Sequence, residues 1–126
     1  MKKLVIPILV LVLVSPFTFA AINSIYEYLQ RVDSGYEIVL GAKAKGGDSL
    51  AAIDVAIGIK KYNTKSPDLE TVIETEVFPS EPKILIGHPC DNSLVPISCE
   101  NWPYRQGEAI IRVIGNDLII AGSSTD

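Results

Sequence analysis

The feature that most constrains this chain is the stretch 37–61, which joins a short apolar run, a glycine turn and a long apolar segment. Residues 37–40 carry branched apolar side chains, which favours a β-strand, and Gly41 ends the run. The Gly-Gly pair at 46–47 leads to Asp48, a residue type that commonly caps the start of a helix. The stretch therefore predicts a strand followed by a helix, which is half of a β-α-β crossover and indicates an α/β fold.

The predicted helix, residues 49–61, is apolar over more than one stripe. One set of apolar residues at helical spacing is Leu50, Ile53 and Ile57. A second set that widens the apolar surface is Ala52, Val55, Ala56 and Ile59. A surface helix usually carries one apolar stripe, so we expect this helix to be packed on more than one side.

The N-terminus has the pattern of a secretory signal. Residues 1–3 are basic at two positions, residues 4–14 are apolar apart from the break at Pro7, and the segment ends in Thr-Phe-Ala at 18–20. This pattern predicts a signal peptide, residues 1–20, cleaved at Ala20/Ala21. The alternative is a retained membrane anchor, because no charge occurs from Leu4 through Tyr26 and about 20 apolar residues can span a bilayer.

The remaining residues, 21–126, are expected to form a single domain, since the 126-residue chain is 48% hydrophobic. Removing residues 1–20 takes two lysines from the 11 basic residues, so nine basic and 15 acidic residues remain and the net charge is −6. That charge argues against nucleic acid or anionic lipid as a partner. A local acidic excess between Asp68 and Glu76 favours a solvated strand face over a cation site, which needs clustered oxygen ligands in a glycine-bearing turn.

The other elements complete the fold prediction. A helix is expected at 23–33, an alternating, solvent-facing strand at 69–78, a fully buried strand at 83–87, and a hairpin of strands 108–114 and 117–121 around Gly115-Asn116. The predicted fold class is a mixed, largely parallel sheet flanked by helices, with a C-terminal β-hairpin, as a small Rossmann-like α/β domain.

Cys90 and Cys99 are expected to form a disulfide, because an exported chain with an even number of cysteines enters an oxidising compartment. The bond would close a proline-rich loop, and the chain-entropy model gives about 3 kcal/mol for a loop of this size. A metal site would use the two cysteines with His88, but these ligands lack a paired C-x-x-C motif. No metal is predicted.

No motif for catalysis or cofactor binding is present. His88 is the only histidine, Gly-x-Ser-x-Gly is absent, and Ser93 has no nucleophile signature around it. The glycines at 41, 46 and 47 do not form G-x-G-x-x-G, and Asp48 at the helix start would repel a phosphate. We therefore expect no cofactor and no catalytic residues, and we interpret the chain as a non-enzyme.

Trp102, Tyr104 and Arg105 form a candidate interaction surface, because aromatic side chains next to a cation can stack against a sugar or a partner chain. The alternative is that these side chains pack the disulfide loop onto the sheet. The first option leads to a second functional hypothesis, a secreted carbohydrate-binding or cell-wall-binding module that uses Trp102 and Tyr104.

Several segments together resemble archaeal S-layer proteins. Residues 38–56 are similar to that family's opening strand, Val-Gly-x-x-Ala pattern and Ala-rich helix. Residues 84–92 are similar to its Val-Gly-Gly-Pro-x-x-Asn turn, and 108–112 with 118–122 are similar to its later strands, the last of which ends in Val-Ala-Gly and opens a helix. His88 stands where a second glycine is usual, and the helix after Gly122 is missing.

The resemblance implies an α/β domain that displays, assembles or supports a cell-surface layer, without catalytic residues. It makes the expected localisation extracellular, at the cell surface. The expected partner is another envelope protein, or a second copy of the chain, at the uncovered C-terminal region 121–126, where glycine and capping residues follow a strand. Membrane contact is expected only through the N-terminal segment, if that segment is not cleaved.

Overall fold

A computed structural model of the protein describes residues 25–78 and 82–123. The predicted signal peptide 1–20, the predicted helix start at 23–24, the proline corner at 79–81 and the tail 124–126 lie outside the described residues. The helices are α1 (Ile25–Arg31) and α2 (Gly46–Tyr62), with short 3₁₀ turns at Glu74–Glu76 and Cys99–Asn101. The strands are β1 (Glu37–Leu40), β2 (Glu70–Ile73), β3 (Lys83–Ile86), β4 (Ala109–Ile114) and β5 (Asp117–Gly122).

The strands form one five-stranded sheet in the order β2-β1-β3-β5-β4. Neighbours among β2, β1, β3 and β5 are parallel, and β4 pairs antiparallel with β5. The β4–β5 hairpin turns at Gly115, whose φ of +62° suits glycine. The prediction of a mixed, largely parallel α/β sheet with a C-terminal hairpin is confirmed.

Alternating strand residues divide the core between the two faces of the sheet. On one face, strand residues such as Ile38, Ile84 and Leu118 pack under side chains of both helices. On the other face, Val39, Leu85 and Ile119 pack under the segment 88–107, which contributes Val95, Ile97 and Trp102. All four residues of β3 are buried, as predicted for a central parallel strand.

Helix α1 is attached by its buried face and by polar contacts to the chain below it. Tyr28 is fully buried, and its hydroxyl donates to the Lys83 carbonyl at 2.9 Å. Burial raises the pKa of Tyr28 well above its ordinary value, so the hydroxyl stays a donor at neutral pH. Asn63, which follows α2, donates to the carbonyls of Leu29 and Val32 and so ties the end of one helix to the other.

Helix α2 begins three residues earlier than it would with Asp48 as its N-cap. The residue at the N-cap is Lys45, and Asp48 occupies the third helical position. The Asp48 carboxylate accepts a hydrogen bond from the Lys45 amide at 2.9 Å, so it caps the helix from inside the first turn. The prediction that Asp48 is the N-cap is wrong, because Gly46 and Gly47, which were expected to precede the helix, are its first two residues.

The expectation that α2 is packed on more than one side is also wrong for the part of the chain that the structure describes. Ala52 and Ile59 are buried against the sheet, with Val55 and Ala56 beside them. Leu50, Ile53 and Ile57 point away from the sheet and are 66%, 55% and 60% exposed. We call these three residues the α2 ridge.

Strand β2 is shorter than the predicted strand 69–78. It lies at the edge of the sheet and pairs with β1 only over residues 70–73. The alternation continues in the sequence, but Glu74 begins a 3₁₀ turn and its carboxylate bonds to neighbouring segments. Ile73 pairs with Leu40, the last residue of β1, so β2 ends where its neighbour in the sheet ends and where Glu74 makes these contacts.

Candidate binding cleft

The parallel strands β1, β3 and β5 end at the same edge of the sheet, where α/β domains usually bind ligands. The chain leaves β1 toward the β2 edge and leaves β3 toward the β5 edge, so the topological switch point lies between β1 and β3. This position is the first place to look for a site.

The switch point is filled by the protein's own turn. Asn92 is fully buried, and its side-chain amide donates to the carbonyls of Val39 and Ile86 at 3.1 and 3.0 Å. Its side-chain oxygen accepts from the Leu94 amide at 3.1 Å. A Cβ at Gly41 would overlap the Asp91 carbonyl, so only glycine permits this close approach. The turn leaves no room for a ligand between the two strand ends.

Glu74 fixes the same turn from the sheet edge. Its carboxylate accepts hydrogen bonds from the Ala42 amide at 2.9 Å and from both the amide and the hydroxyl of Ser93 at 2.6 Å. The Ser93 hydroxyl lowers the pKa of Glu74 below its ordinary value; the backbone donors and Lys43 act in the same direction, and partial burial opposes them. One carboxylate thus joins the ends of β1 and β2 to the loop after β3.

An open cleft of about 520 Å³ lies beside the switch point, between the carboxyl ends of β3 and β5 and the first turns of α2. Ile86 and Ile120 form its floor, and Gly47 and Ala51 form its helix wall. Ala109, at the start of β4, lines the far side and is exposed. The interior of the cleft is lined by aliphatic and small residues.

The rim of the cleft is polar. Lys45, Asp48, His88, Asp91 and Ser123 surround the opening. The turn at the rim requires a glycine at 87, where φ is +116°. The space there would accept a side chain, since a Cβ would stand 3.6 Å from the Asp48 carboxyl carbon.

His88 lies at the rim and bonds within its own turn. Its Nδ1 accepts a hydrogen bond from the Cys90 amide at 3.1 Å, so the neutral ring carries its proton on Nε2. Ser93 donates its hydroxyl to Glu74 and not to His88. The side chains of His88 and Ser93 therefore both make hydrogen bonds that hold the loop after β3.

Two of the three candidate surface residues are in contact. The Trp102 ring packs edge-on against Tyr104, with centroids 4.8 Å apart, and against His88, with centroids 5.0 Å apart. Its indole N–H donates to the Ser123 hydroxyl at 2.8 Å, and the ring also borders the core on the loop side of the sheet. Arg105 is exposed, and its backbone amide donates to Glu108 at 2.8 Å. Trp102 thus joins the loop to the cleft rim.

The predicted disulfide between Cys90 and Cys99 is present. It connects the turn that carries His88 and Asn92 with the 3₁₀ turn that leads to Trp102. The bond therefore constrains both ends of the segment that covers the loop side of the sheet.

Sequence reasoning missed a row of charged residues at the amino ends of the parallel strands, opposite the ends that border the larger cleft. Glu37, Lys83 and Asp117 each begin a strand, and the register sets them side by side across β1, β3 and β5. Lys83 is buried, and its backbone amide donates to the Asp117 carboxylate at 2.8 Å. The signal in the sequence was the charged first residue of each of these strands. A smaller cleft of about 300 Å³ includes Lys83 and Asp117.

Within residues 25–78 and 82–123, no cluster of three or more histidine, cysteine or acidic side chains is arranged to hold a metal ion. In the same residues no helix is both long and apolar enough to cross a bilayer. A scan against models of known protein families matched none of them, and a search of curated proteins found no relative.

Proposed function

We propose that this protein is an exported cell-surface protein that acts by binding or assembly and not by catalysis, like the domain of archaeal S-layer proteins that its sequence resembles. The disulfide supports export, since such bonds persist in oxidising compartments outside the cytosol. The signal-like pattern of residues 1–20 supports the same location.

The observation that carries the proposal is the open cleft beside β5. Eight of the 13 residues that line it are aliphatic residues or glycine, and five are polar or charged. Such a surface gains most by burying apolar side chains, which a protein segment supplies. The cleft therefore suits docking of an envelope protein or of a second copy of this chain.

A second candidate function is carbohydrate or cell-wall binding. The half-buried Trp102 and Tyr104 rings lie together beside the cleft rim, which favours this candidate. The edge-on contacts with His88 and Tyr104 and the indole bond to Ser123 use part of the Trp102 surface for the protein's own packing. For this reason we rank sugar binding below protein binding.

Site-directed photo-crosslinking in cells that express the protein tests the docking proposal. A photoreactive side chain at Ala109, which lines the cleft and is exposed, is expected to capture a protein from the cell envelope or another copy. The matched control is Thr71, which is exposed on the distant edge strand β2. Equal capture at both positions, or recovery of the protein from the cytosol with its leader intact, would defeat the proposal.

The sugar-binding alternative has its own measurement. Isolated cell-wall polysaccharide is mixed with the exported protein and with Trp102→Ala, and the bound fraction is determined by co-sedimentation. Loss of polysaccharide binding in a folded Trp102→Ala protein, without capture of any protein at Ala109, would replace docking by carbohydrate recognition. Under the docking proposal we expect no polysaccharide-dependent sedimentation of either protein.

A further inference from the structure

The α2 ridge is an apolar surface without a partner in the described structure. Leu50, Ile53 and Ile57 recur at the spacing of one helical face and are each more than half exposed. The opposite side of the helix, with Ala52 and Ile59, already packs against the sheet. Rows of exposed aliphatic side chains on a protein surface commonly mark interaction sites.

The ridge and the cleft adjoin each other on the same helix. Gly47 and Ala51 form the cleft wall. Gly47 lies three residues before the ridge residue Leu50, and Ala51 lies one residue after it. The chain therefore presents a convex and a concave apolar surface side by side. Because both are built on one rigid helix, the ridge cannot enter the cleft of its own molecule.

The charges at the two surfaces are complementary. The ridge is flanked by Lys60 and Lys61 against one carboxylate, Asp54, whereas the rim of the cleft carries Asp48 and Asp91 against one lysine, Lys45, so the excess charge has opposite sign on the two surfaces. The pair between Lys60 and Asp68 is exposed, so it competes only weakly for the lysine. A ridge that enters the cleft can bring lysines to a rim that carries carboxylates.

We propose that the α2 ridge of one copy docks into the cleft of the next copy. The inference rests on the proposed function and names the partner of its cleft. Such a contact is heterologous, since different surfaces meet, and a bound pair keeps one free cleft on one copy and one free ridge on the other. Association then continues as an open chain of copies.

A symmetric pair of two ridges explains the surface less well. That arrangement leaves the cleft uncovered. Docking of ridge into cleft covers both apolar surfaces in one contact.

The test uses the full chain, expressed with its leader and purified as exported, with its mass measured to establish whether the leader is present. Sedimentation velocity is recorded over a concentration series. The ridge variant is Ile53→Glu with Ile57→Glu, and the cleft variant is Ala109→Arg; each changes exposed residues only. The matched control is Ile73→Glu, an exposed isoleucine on β2. Circular dichroism and urea midpoints establish that all four proteins are folded.

The expected result has three parts. The unchanged protein and the Ile73→Glu control form species larger than dimers as concentration rises. The ridge variant and the cleft variant are each monomeric. An equal mixture of the two variants forms a dimer and nothing larger, because it combines one intact cleft with one intact ridge.

Other outcomes overturn the inference in distinguishable ways. A monomer at every concentration removes self-association, while capture of a different envelope protein at Ala109 would leave the proposed function standing. Dimers of the cleft variant but not of the ridge variant indicate pairing of two ridges. Co-sedimentation of the unchanged protein with phosphatidylcholine vesicles, lost in the ridge variant, assigns the ridge to a lipid surface.

Discussion

The face of the sheet beneath the segment 88–107 is held by polar bonds from single side chains, whereas the face beneath the helices depends on apolar packing. On the loop side, Asn92, Glu74 and Trp102 each bond to at least one segment distant in sequence. On the helix side, apolar side chains of α1 and α2 cover the sheet, and the larger cleft stays open beside the first turns of α2. The two faces of the sheet thus differ in the kind of contact that holds the covering segments in place.

This difference follows from the elements available to each face. A loop without regular structure must satisfy its backbone groups individually, so it needs amide and carboxylate side chains at specific positions and a disulfide. A helix satisfies most of its own backbone, so the helices are attached mainly by side-chain packing, with a few polar contacts from Tyr28 and Asn63, and the outer face of α2 stays free. Assembly surfaces are therefore expected on the helix side.

The largest effect is expected from a matched pair of substitutions on the two sides of α2. Ile59→Ala removes a side chain that is 2% exposed and should lower the free energy of unfolding by about 3–4 kcal/mol, because a cavity forms in the core. Ile57→Ala changes a 60% exposed residue and should alter it by less than about 0.5 kcal/mol. Urea denaturation measures both. Similar losses for the two variants would contradict the one-sided packing of α2.

The next effect concerns the filled switch point. Asn92→Ala removes the donor to the Val39 and Ile86 carbonyls and should lower the free energy of unfolding by about 2–3 kcal/mol, because buried acceptors lose their partner. Asn101→Ala, at an exposed position, is the control and should be nearly neutral. Equal urea midpoints for the two variants would show that the turn is not held by Asn92.

The smallest effect is a pH dependence from Glu74. Its pKa is lower in the folded protein than in the unfolded chain, so its contribution is present above the unfolded value and is lost as pH falls through the folded value. Glu74→Gln should lower the free energy of unfolding by less than about 1 kcal/mol at pH 6, since the group is partly solvated. The difference should shrink toward pH 3. A difference that stays constant over this range would assign the effect to shape and not to charge.

Much of the fold could be predicted from local patterns. The buried strand β3, the Gly115 hairpin and the helix after Gly46 depend on side-chain periodicity and turn residues that are close together in the sequence. The end of β2 could not be predicted in this way, because it depends on contacts of Glu74 with Ala42 and Ser93. The alternation of side chains alone predicts a strand that continues to residue 78.

The candidate site was only partly accessible from sequence. The disulfide between the two cysteines was predicted from their even number and from the predicted export signal, and it is confirmed. In the sequence, Asn92 stood out only as part of the segment 84–92 that resembles a turn of the S-layer family. Its hydrogen bonds to the ends of β1 and β3 require these two strands to lie side by side. The cleft needs four separate segments of chain to come together, so no local pattern indicates it.

The α/β class, the order of the main elements and the disulfide follow from the amino-acid sequence, because periodicity, turn chemistry and the number of cysteines are local or compositional properties. The buried face of α2, the filled switch point and the open cleft follow from the folded arrangement of the chain. These properties depend on which segments meet in space, since a side chain is covered or exposed according to neighbours that can lie anywhere along the chain.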